Sequence, residues 1–248
     1  MDRIEAADYH KISKPGSVRL SPDGSQVAFV RREPTDEESY AATIHVASTD
    51  GSGSRQFTLT EGRDAEPRWS PSGDRIAFTS TRGATDDRQQ LWVLPTTGGE
   101  ARQVTDVLGG VSSIAWSPAG DQIAFVQSVS AADREADRDL TVPEEYDPDD
   151  RDPRVIDRTV YRAGQQYFDG ASAGIYRVEL DSDTNDETTE PVARVTTADT
   201  EFAAPGWSDA ATLYYTADWV GDDPDDTDEF DVVRHNLETD TAEAVYRS

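Results

Sequence analysis

The stretch SIAWSPAGDQIAFVQS, residues 113–128, recurs along the chain, and this recurrence restricts the fold more than any other feature. EPRWSPSGDRIAFTST fills 66–81, SVRLSPDGSQVAFVRR fills 17–32, and APGWSDAATLYYTAD at 204–218 is a worn copy. A period in the forties belongs to repeat architectures, where each unit stacks on the next and covers faces that one unit alone would leave wet.

Each unit reads as a strand, a tight turn and a second strand. Ser21-Pro22-Asp23-Gly24, Ser70-Pro71-Ser72-Gly73 and Ser117-Pro118-Ala119-Gly120 have the residues of a type I turn: Ser to accept a local hydrogen bond, Pro to fix φ, Gly to tolerate the exit. The strand before the turn ends in Leu20, Trp69, Trp116 or Trp207, and the shared repeat position assigns the three tryptophans to the core. The strand after it is a short apolar run such as Ile76-Ala77-Phe78 or Ile123-Ala124-Phe125-Val126. Apolar side chains on both faces predict a sheet covered on both sides. Two further strands complete each unit, for example Gln90–Leu94 and Ala101–Thr105 in the second. The expected fold is therefore all-β, a β-propeller segment of about four four-stranded blades.

In chain order, 1–16 is a lead-in, with Ile4, Ala7 and Ile12 placed for one face of a short helix that Pro15-Gly16 would end. The blades are expected over 17–59, 66–107, 111–200 and 203–248. The third contains an insertion, 129–170. Its first half, AADREADRDLTVPEEYDPDDRDP, reads as a solvated loop, and its second half, RVIDRTVYRAGQQYFDG, as extended structure or a hairpin.

Charge narrows the partners. Fifty acids against 23 bases give a formal charge of −27, and Lys11 and Lys14 are the only lysines. Such a charge strains a compact state unless salt screens it, which reads as adaptation to a salt-rich cytoplasm. With no basic patch to neutralise phosphates, nucleic acid is not an expected partner. Cysteine is absent, so disulfide and thiolate chemistry are excluded. No apolar signal core opens the chain and no apolar run reaches ~18 residues, so the expectation is a soluble cytoplasmic protein with no membrane partner.

The W-S-P-x-G-D-x-I-A-F repeats, followed by L-W-V and G-G-E-x-R-x-V-T, resemble the N-terminal propeller of the prolyl oligopeptidase family of serine peptidases, and such repeats also occur in TolB-like propellers. PRVIDRTVYRAGQQYFDGASAGIYRVEL, 153–180, is similar to the blade-three segment of the acylaminoacyl-peptidase-like, dipeptidyl-aminopeptidase-like branch. The resemblance implies a propeller that caps an α/β-hydrolase domain and admits short peptides. It places the catalytic Ser, Asp and His in that hydrolase domain, so no catalytic residue is carried over to this sequence. The family usually has seven or eight blades, against about four here. A hydrolase half, or self-association through open blade edges, is the implied partner, and peptides are the substrates of the complete enzyme. The alternative is a stand-alone TolB-like propeller acting as a protein- or peptide-binding scaffold.

Three features invite a sharper reading. Gly170-Ala171-Ser172-Ala173-Gly174 fits G-x-S-x-G, but a nucleophile elbow needs a helix after the Ser, and the strand IYRVEL follows instead. His235, in VVRHNL, reads as structural or surface. Asp181-Ser182-Asp183-Thr184-Asn185 starts like a calcium loop, but Asp186 replaces the required Gly and Val192 the bidentate Glu. The acidic run within 222–231 reads as a solvated face suited to high salt. Trp92 and Trp219 fall outside the repeat register and receive no role. The expectation is thus no catalytic, cofactor-binding or metal-binding residue in this chain, and no cofactor.

Overall fold

Short apolar strands separated by Ser-Pro-x-Gly turns pair with their immediate neighbours, because a tight turn leaves an antiparallel partner at hand. A computed structural model describes residues 8, 12–35, 39–60, 62–83, 88–142, 162–163, 166–167, 170–180, 189–197, 200–218 and 230–247. Blade one contains β1 (Lys14–Leu20), β2 (Gln26–Pro34), β3 (Tyr40–Ser48) and β4 (Ser54–Gln56). Blade two contains β5 (Asp64–Trp69), β6 (Arg75–Ser80), β7 (Gln90–Pro95) and β8 (Arg102–Gln103). Blade three starts with β9 (Ser112–Trp116) and β10 (Gln122–Ser130), continues into a short helix α1 (Ala131–Glu135), and passes a small hairpin, β11 (Arg162–Ala163) and β12 (Gln166–Tyr167). It is completed by β13 (Ala171–Glu179) and β14 (Val192–Arg194). Blade four contains β15 (Glu201–Trp207), β16 (Thr212–Asp218), β17 (Asp231–Asn236) and β18 (Thr241–Tyr246). The result is four four-stranded antiparallel sheets in which each strand joins the next of its own blade, the propeller pattern expected from the repeat. Two compact units emerge, one with blades one and two, the other with blades three and four.

The turn serine does more than accept one hydrogen bond. The Ser70 Oγ takes the Arg75 N–H at 3.0 Å and donates to Asp74 Oδ1 at 2.7 Å. Ser117 does the same with Gln122 and Asp121, and Ser21 with Gln26 and Asp23. The acid sits at the third turn position in SPDGSQ and after the glycine in SPSGDR, yet reaches the same hydroxyl. These contacts, Ser21 first, hold the Asp23 carboxyl down at about 2. Gly24, Gly73 and Gly120 all close the turn at φ +74°, a left-handed conformation that a side chain would strain.

The strand-ending tryptophans join blades. The Trp69 indole N–H donates to the Arg19 carbonyl of blade one at 3.0 Å, and Trp207 donates to the Ala115 carbonyl of blade three at 3.1 Å. Apolar packing surrounds each bond. In the first unit Ala28 and Val46 meet Ile76, with Phe57 and Trp69 against them. In the second, Ala124, Val126, Ile175 and Val195 meet Phe202, Leu213, Tyr215 and Val233, with Trp207 packed beside them.

A third device is a bulge in every first strand. Ser17, Glu66, Ser113 and Ala204 have φ near +50° (50°, 48°, 51°, 51°), each three residues before the Leu or Trp, and the pairing register shifts there.

Two expectations require correction. Pro15 and Gly16 do not end a helix; they pair with Arg31 and Val30 inside β1. Proline is tolerated there because β1 is an edge strand, with one side free of ladder bonds. Ile4 and Ala7 lie outside the described residues. The first half of the insertion is not a solvated loop over its opening stretch: Ser130 caps α1 by accepting the Asp133 N–H, Asp139 is buried and Leu140 is half-buried. The hairpin expected in the second half is present as β11 and β12.

The geometry yields two predictions. Trp207→Phe keeps an aromatic ring but loses the indole N–H and part of the packed volume, so it should lower stability by at least about 1 kcal/mol, read as a melting temperature at least about 2–4 °C lower. His45 is buried on β3, its ring stacked on Phe29 at 5.6 Å. Burial, and then the Arg31 charge, push its pKa below the ordinary value. Its contribution to stability is therefore present above the unfolded pKa of about 6.5 and is lost as pH falls through the lower folded value. Between pH 8 and pH 5 the wild type should lose more stability than His45→Gln, in paired thermal melts.

Candidate functional site

Ser172, the candidate nucleophile of the G-x-S-x-G match, lies at the start of β13, paired with Val129 of β10 and half-buried. A residue inside a strand that runs on to Glu179 does not form the strained strand-to-helix turn of a nucleophile elbow. Its hydroxyl accepts a hydrogen bond from Arg134 Nη2 at 3.0 Å. The glycine that completes the match serves packing: a Cβ on Gly174 would stand 3.1 Å from the Tyr176 ring. His235 is buried on β17, its Nδ1 3.2 Å from the Tyr215 hydroxyl and its Nε2 3.1 Å from Asp240 Oδ1. Asp181–Asp186, the acidic run at 222–229 and Trp219 lie outside the described residues. Among the described residues no cluster of three or more His, Asp or Glu is arranged to hold a metal ion.

Trp92, unassigned in the sequence, lies on β7 beneath a guanidinium. Arg82 lies over the Trp92 and Phe78 rings, 5.0 and 5.1 Å from their centroids. The same guanidinium holds the fully buried Asp64 through both carboxylate oxygens at 2.9 Å, and Ser80 Oγ donates to Asp64 at 2.6 Å. This is a closed structural network: the acceptor is saturated, and the cation is covered by rings. A cleft of about 460 Å³ in the same unit lies between the turns of blades one and two, lined by Ser21, Pro22, Asp23, Trp69, Ser72 and Thr96. Its Ser21–Asp23 contact is the turn bond already described, and a carboxylate held down at about 2 is too weak a base to activate a hydroxyl.

The most elaborate polar arrangement lies where the blade-three insertion leaves the sheet. Asp139 is fully buried and accepts from the Tyr176 hydroxyl at 2.7 Å and from Arg194 Nε at 2.7 Å, while Arg194 Nη2 reaches its other oxygen. Arg194 also donates to the Arg134 carbonyl at 2.8 Å and to Asp137 at 2.9 Å. Behind them, Gln127 is buried, donating to the Asp139 carbonyl at 3.0 Å and accepting the Gly109 N–H at 2.8 Å. Burial alone would raise the Asp139 carboxyl; the bonds from Arg194 and Tyr176 and the arginine charge outweigh it and hold it below the usual range. Burial and Asp139 together push the Tyr176 hydroxyl up to about 12. A carboxylate so fully satisfied is a tether, not a base. It fixes residues 131–140 onto β10, β13 and β14, so the long insertion rises from a rigid root. Residues 131–140 read as solvated in the sequence because six of them are charged, and only the Tyr176 and Arg194 partners, about 40 and 55 positions on, reveal otherwise.

Asp139→Asn leaves the shape but removes the charge that Arg194 faces. It should destabilise the second unit by about 3–5 kcal/mol, and α1 amides should exchange with solvent faster by hydrogen-exchange mass spectrometry.

The profile of the TolB beta propeller domain matches residues 5–145. The uncharacterized peptidase YuxL of Bacillus subtilis is 35% identical over 92 residues, 37% of this chain and 14% of that protein. Dipeptidyl-peptidase 5 of Porphyromonas gingivalis is 36% identical over 76 residues, 30% of this chain and 11% of that protein. The acylaminoacyl peptidase of Pyrococcus horikoshii shares the fold, with a TM-score of 0.67 at 16% identity over 97% of this chain and 33% of that one. The alignments therefore span a small part of the two relatives and about a third of the solved peptidase. With its repeats, its four-stranded blades and a match over more than half its length, the chain belongs to the TolB beta propeller domain family.

Proposed function

We propose that this chain is the capping propeller of an oligopeptide-cleaving serine peptidase of the acylaminoacyl-peptidase type. The observation that carries the reading is that both sequence relatives are peptidases, with identity above one third over the matched repeats. The shared fold with one third of the Pyrococcus enzyme is consistent with it. In this reading acyl transfer, with Ser as nucleophile, His as base and Asp orienting it, belongs to an α/β-hydrolase domain. The propeller excludes water and large substrates while that chemistry proceeds. It contributes no catalytic group itself. The rigid root at Asp139 suits the blade-three insertion to this task, since a long loop selects substrates only if its base is fixed. A salt-rich cytoplasm, which screens the charge of −27, is the setting that fits the composition.

Two assays test the reading. On blocked aminoacyl and dipeptidyl chromogenic substrates, the chain alone should give no turnover above buffer, and Ser172→Ala should change nothing. Turnover abolished by Ser172→Ala would overturn the inert reading. Combined with an acylaminoacyl-peptidase-type hydrolase domain, the chain should form a complex that cleaves tripeptides but cleaves peptides longer than ~30 residues at least ~100-fold more slowly than the hydrolase domain alone. Absence of any complex, with tight binding of the chain to a non-peptidase protein or a peptide, would favour a scaffold propeller.

A further inference from the structure

The cleft of about 460 Å³ between the turns of blades one and two has a chemistry that the repeat alone does not dictate. Its walls come from two consecutive blades of one unit, and the two turns touch: a Cβ on Gly73 would stand 3.6 Å from Pro22 Cδ. Its volume falls within the ~300–1,000 Å³ of small-ligand sites.

What the lining offers a ligand is set by where its own protons go. The Ser21 and Ser25 hydroxyls both donate to Asp23, at 2.6 and 2.8 Å. Ser72 donates to Asp74 Oδ1 at 2.6 Å, and Thr96 to the Gly73 carbonyl at 3.1 Å. The Trp69 indole N–H is spent on the Arg19 carbonyl. Pro22 and Pro71 have no N–H to give. That leaves the Gln26 amide as the donor group of the cleft. Each committed hydroxyl still presents oxygen lone pairs, and Asp23 is exposed. Among the described residues its Oδ2 takes one hydrogen bond, from Ser25. The serine bonds keep the Asp23 carboxyl down at about 2, so its charge persists at any physiological pH. The cleft is therefore rich in acceptors, poor in donors and negative, beside a half-buried indole.

Such a lining disfavours carboxylates and phosphates and selects a ligand made of donors and positive charge. A guanidinium meets each demand: five N–H donors and no acceptor, a planar face that stacks on an indole, and a charge opposite to that of Asp23. One already sits at the rim. Arg55 of β4 crosses from blade one to donate to the Thr96 carbonyl of blade two at 3.3 Å, with its guanidinium over Phe57. The repeat does not require this chemistry. Blade three has Ala119 at the turn position of Asp23 and carries its acid after the glycine, as Asp121.

We propose that this cleft binds the guanidinium of an arginine side chain in a peptide, with Asp23 as the counter-ion and Trp69 as the stacking wall. Binding is read on the chain alone, with no hydrolase domain, so its outcome leaves the peptidase reading untouched.

Acetyl-Gly-Arg-Gly-amide should bind saturably by isothermal titration calorimetry in about 1 M KCl, where a Debye length of ~3 Å suppresses the general attraction of a chain at −27 for any cation. The citrulline peptide, of similar shape but uncharged, should bind at least ~10-fold more weakly, and the lysine peptide, without the planar fork, at least ~3-fold more weakly. Asp23→Asn keeps Oδ1 as the acceptor for Ser21 and Ser25, and should weaken the arginine peptide at least ~10-fold. Ser72→Arg fills the cleft from its blade-two wall and should abolish binding without touching Asp23. Asp50→Asn removes the same charge from blade one outside the cleft, and should change affinity less than ~2-fold. All three variants should keep the wild-type circular dichroism spectrum. No saturable binding up to ~10 mM, a citrulline or lysine peptide bound as tightly as the arginine one, or an equal loss in Asp50→Asn and Asp23→Asn would each overturn the proposal.

Discussion

A sheet that is apolar on both faces cannot stand alone, and the rest of this structure depends on that constraint. Within each unit the first blade packs short residues of one face, Ala28 or Ala124, against large ones of the second, Ile76 or Leu213. The indole N–H of Trp69 or Trp207 adds direction to this contact by taking one carbonyl of the preceding first strand. Apolar burial provides the attraction and the hydrogen bond sets how far one blade slides along the other. Turns, bulges and buried ion pairs all serve to hold strands in the position from which this stacking works.

The blade was legible in the sequence because its signals are local. Ser-Pro-x-Gly turns, Trp before them and an apolar run after them lie within sixteen residues, and four copies reinforce one another. The bulges were not legible. Two serines, a glutamate and an alanine, Ser17, Ser113, Glu66 and Ala204, hold the position and none is glycine, so nothing in their identity announces a positive φ. The Asp139 tether was hidden for another reason. Its partners, Tyr176 and Arg194, lie beyond a long insertion, and a charged run without periodicity looks the same whether it is solvated or pinned by a distant arginine. Pro15 and Gly16 misled because they end helices and also suit the unladdered edge of a sheet.

Charge is handled differently inside and outside. The interior pairs its acids with arginine through both carboxylate oxygens: Arg194 meets Asp139 as a fork of Nε and Nη2, and Arg82 reaches both oxygens of Asp64 from its single Nη2. With 50 acids against 23 bases, the excess formal charge of −27 falls to water and salt to screen. At the turns neutral groups do most of this work: serine hydroxyls solvate Asp23 and Asp74, joined by the Ser25 N–H at Asp23 and by the Arg75 guanidinium 3.6 Å from Asp74.

The bulge in each first strand changes how that strand carries information. Along an unbroken strand, side chains on one face are an even number of residues apart. In β5 the buried Asp64 and Pro67 are separated by an odd number, as are Phe202 and Pro205 in β15. Each first strand is thus two half-strands in opposite phase, joined at a left-handed residue. A deletion of that one residue would not shorten the strand so much as invert it: everything on one side of the joint would exchange its inward and outward faces, and the tryptophan that grips the neighbouring blade would point away from it.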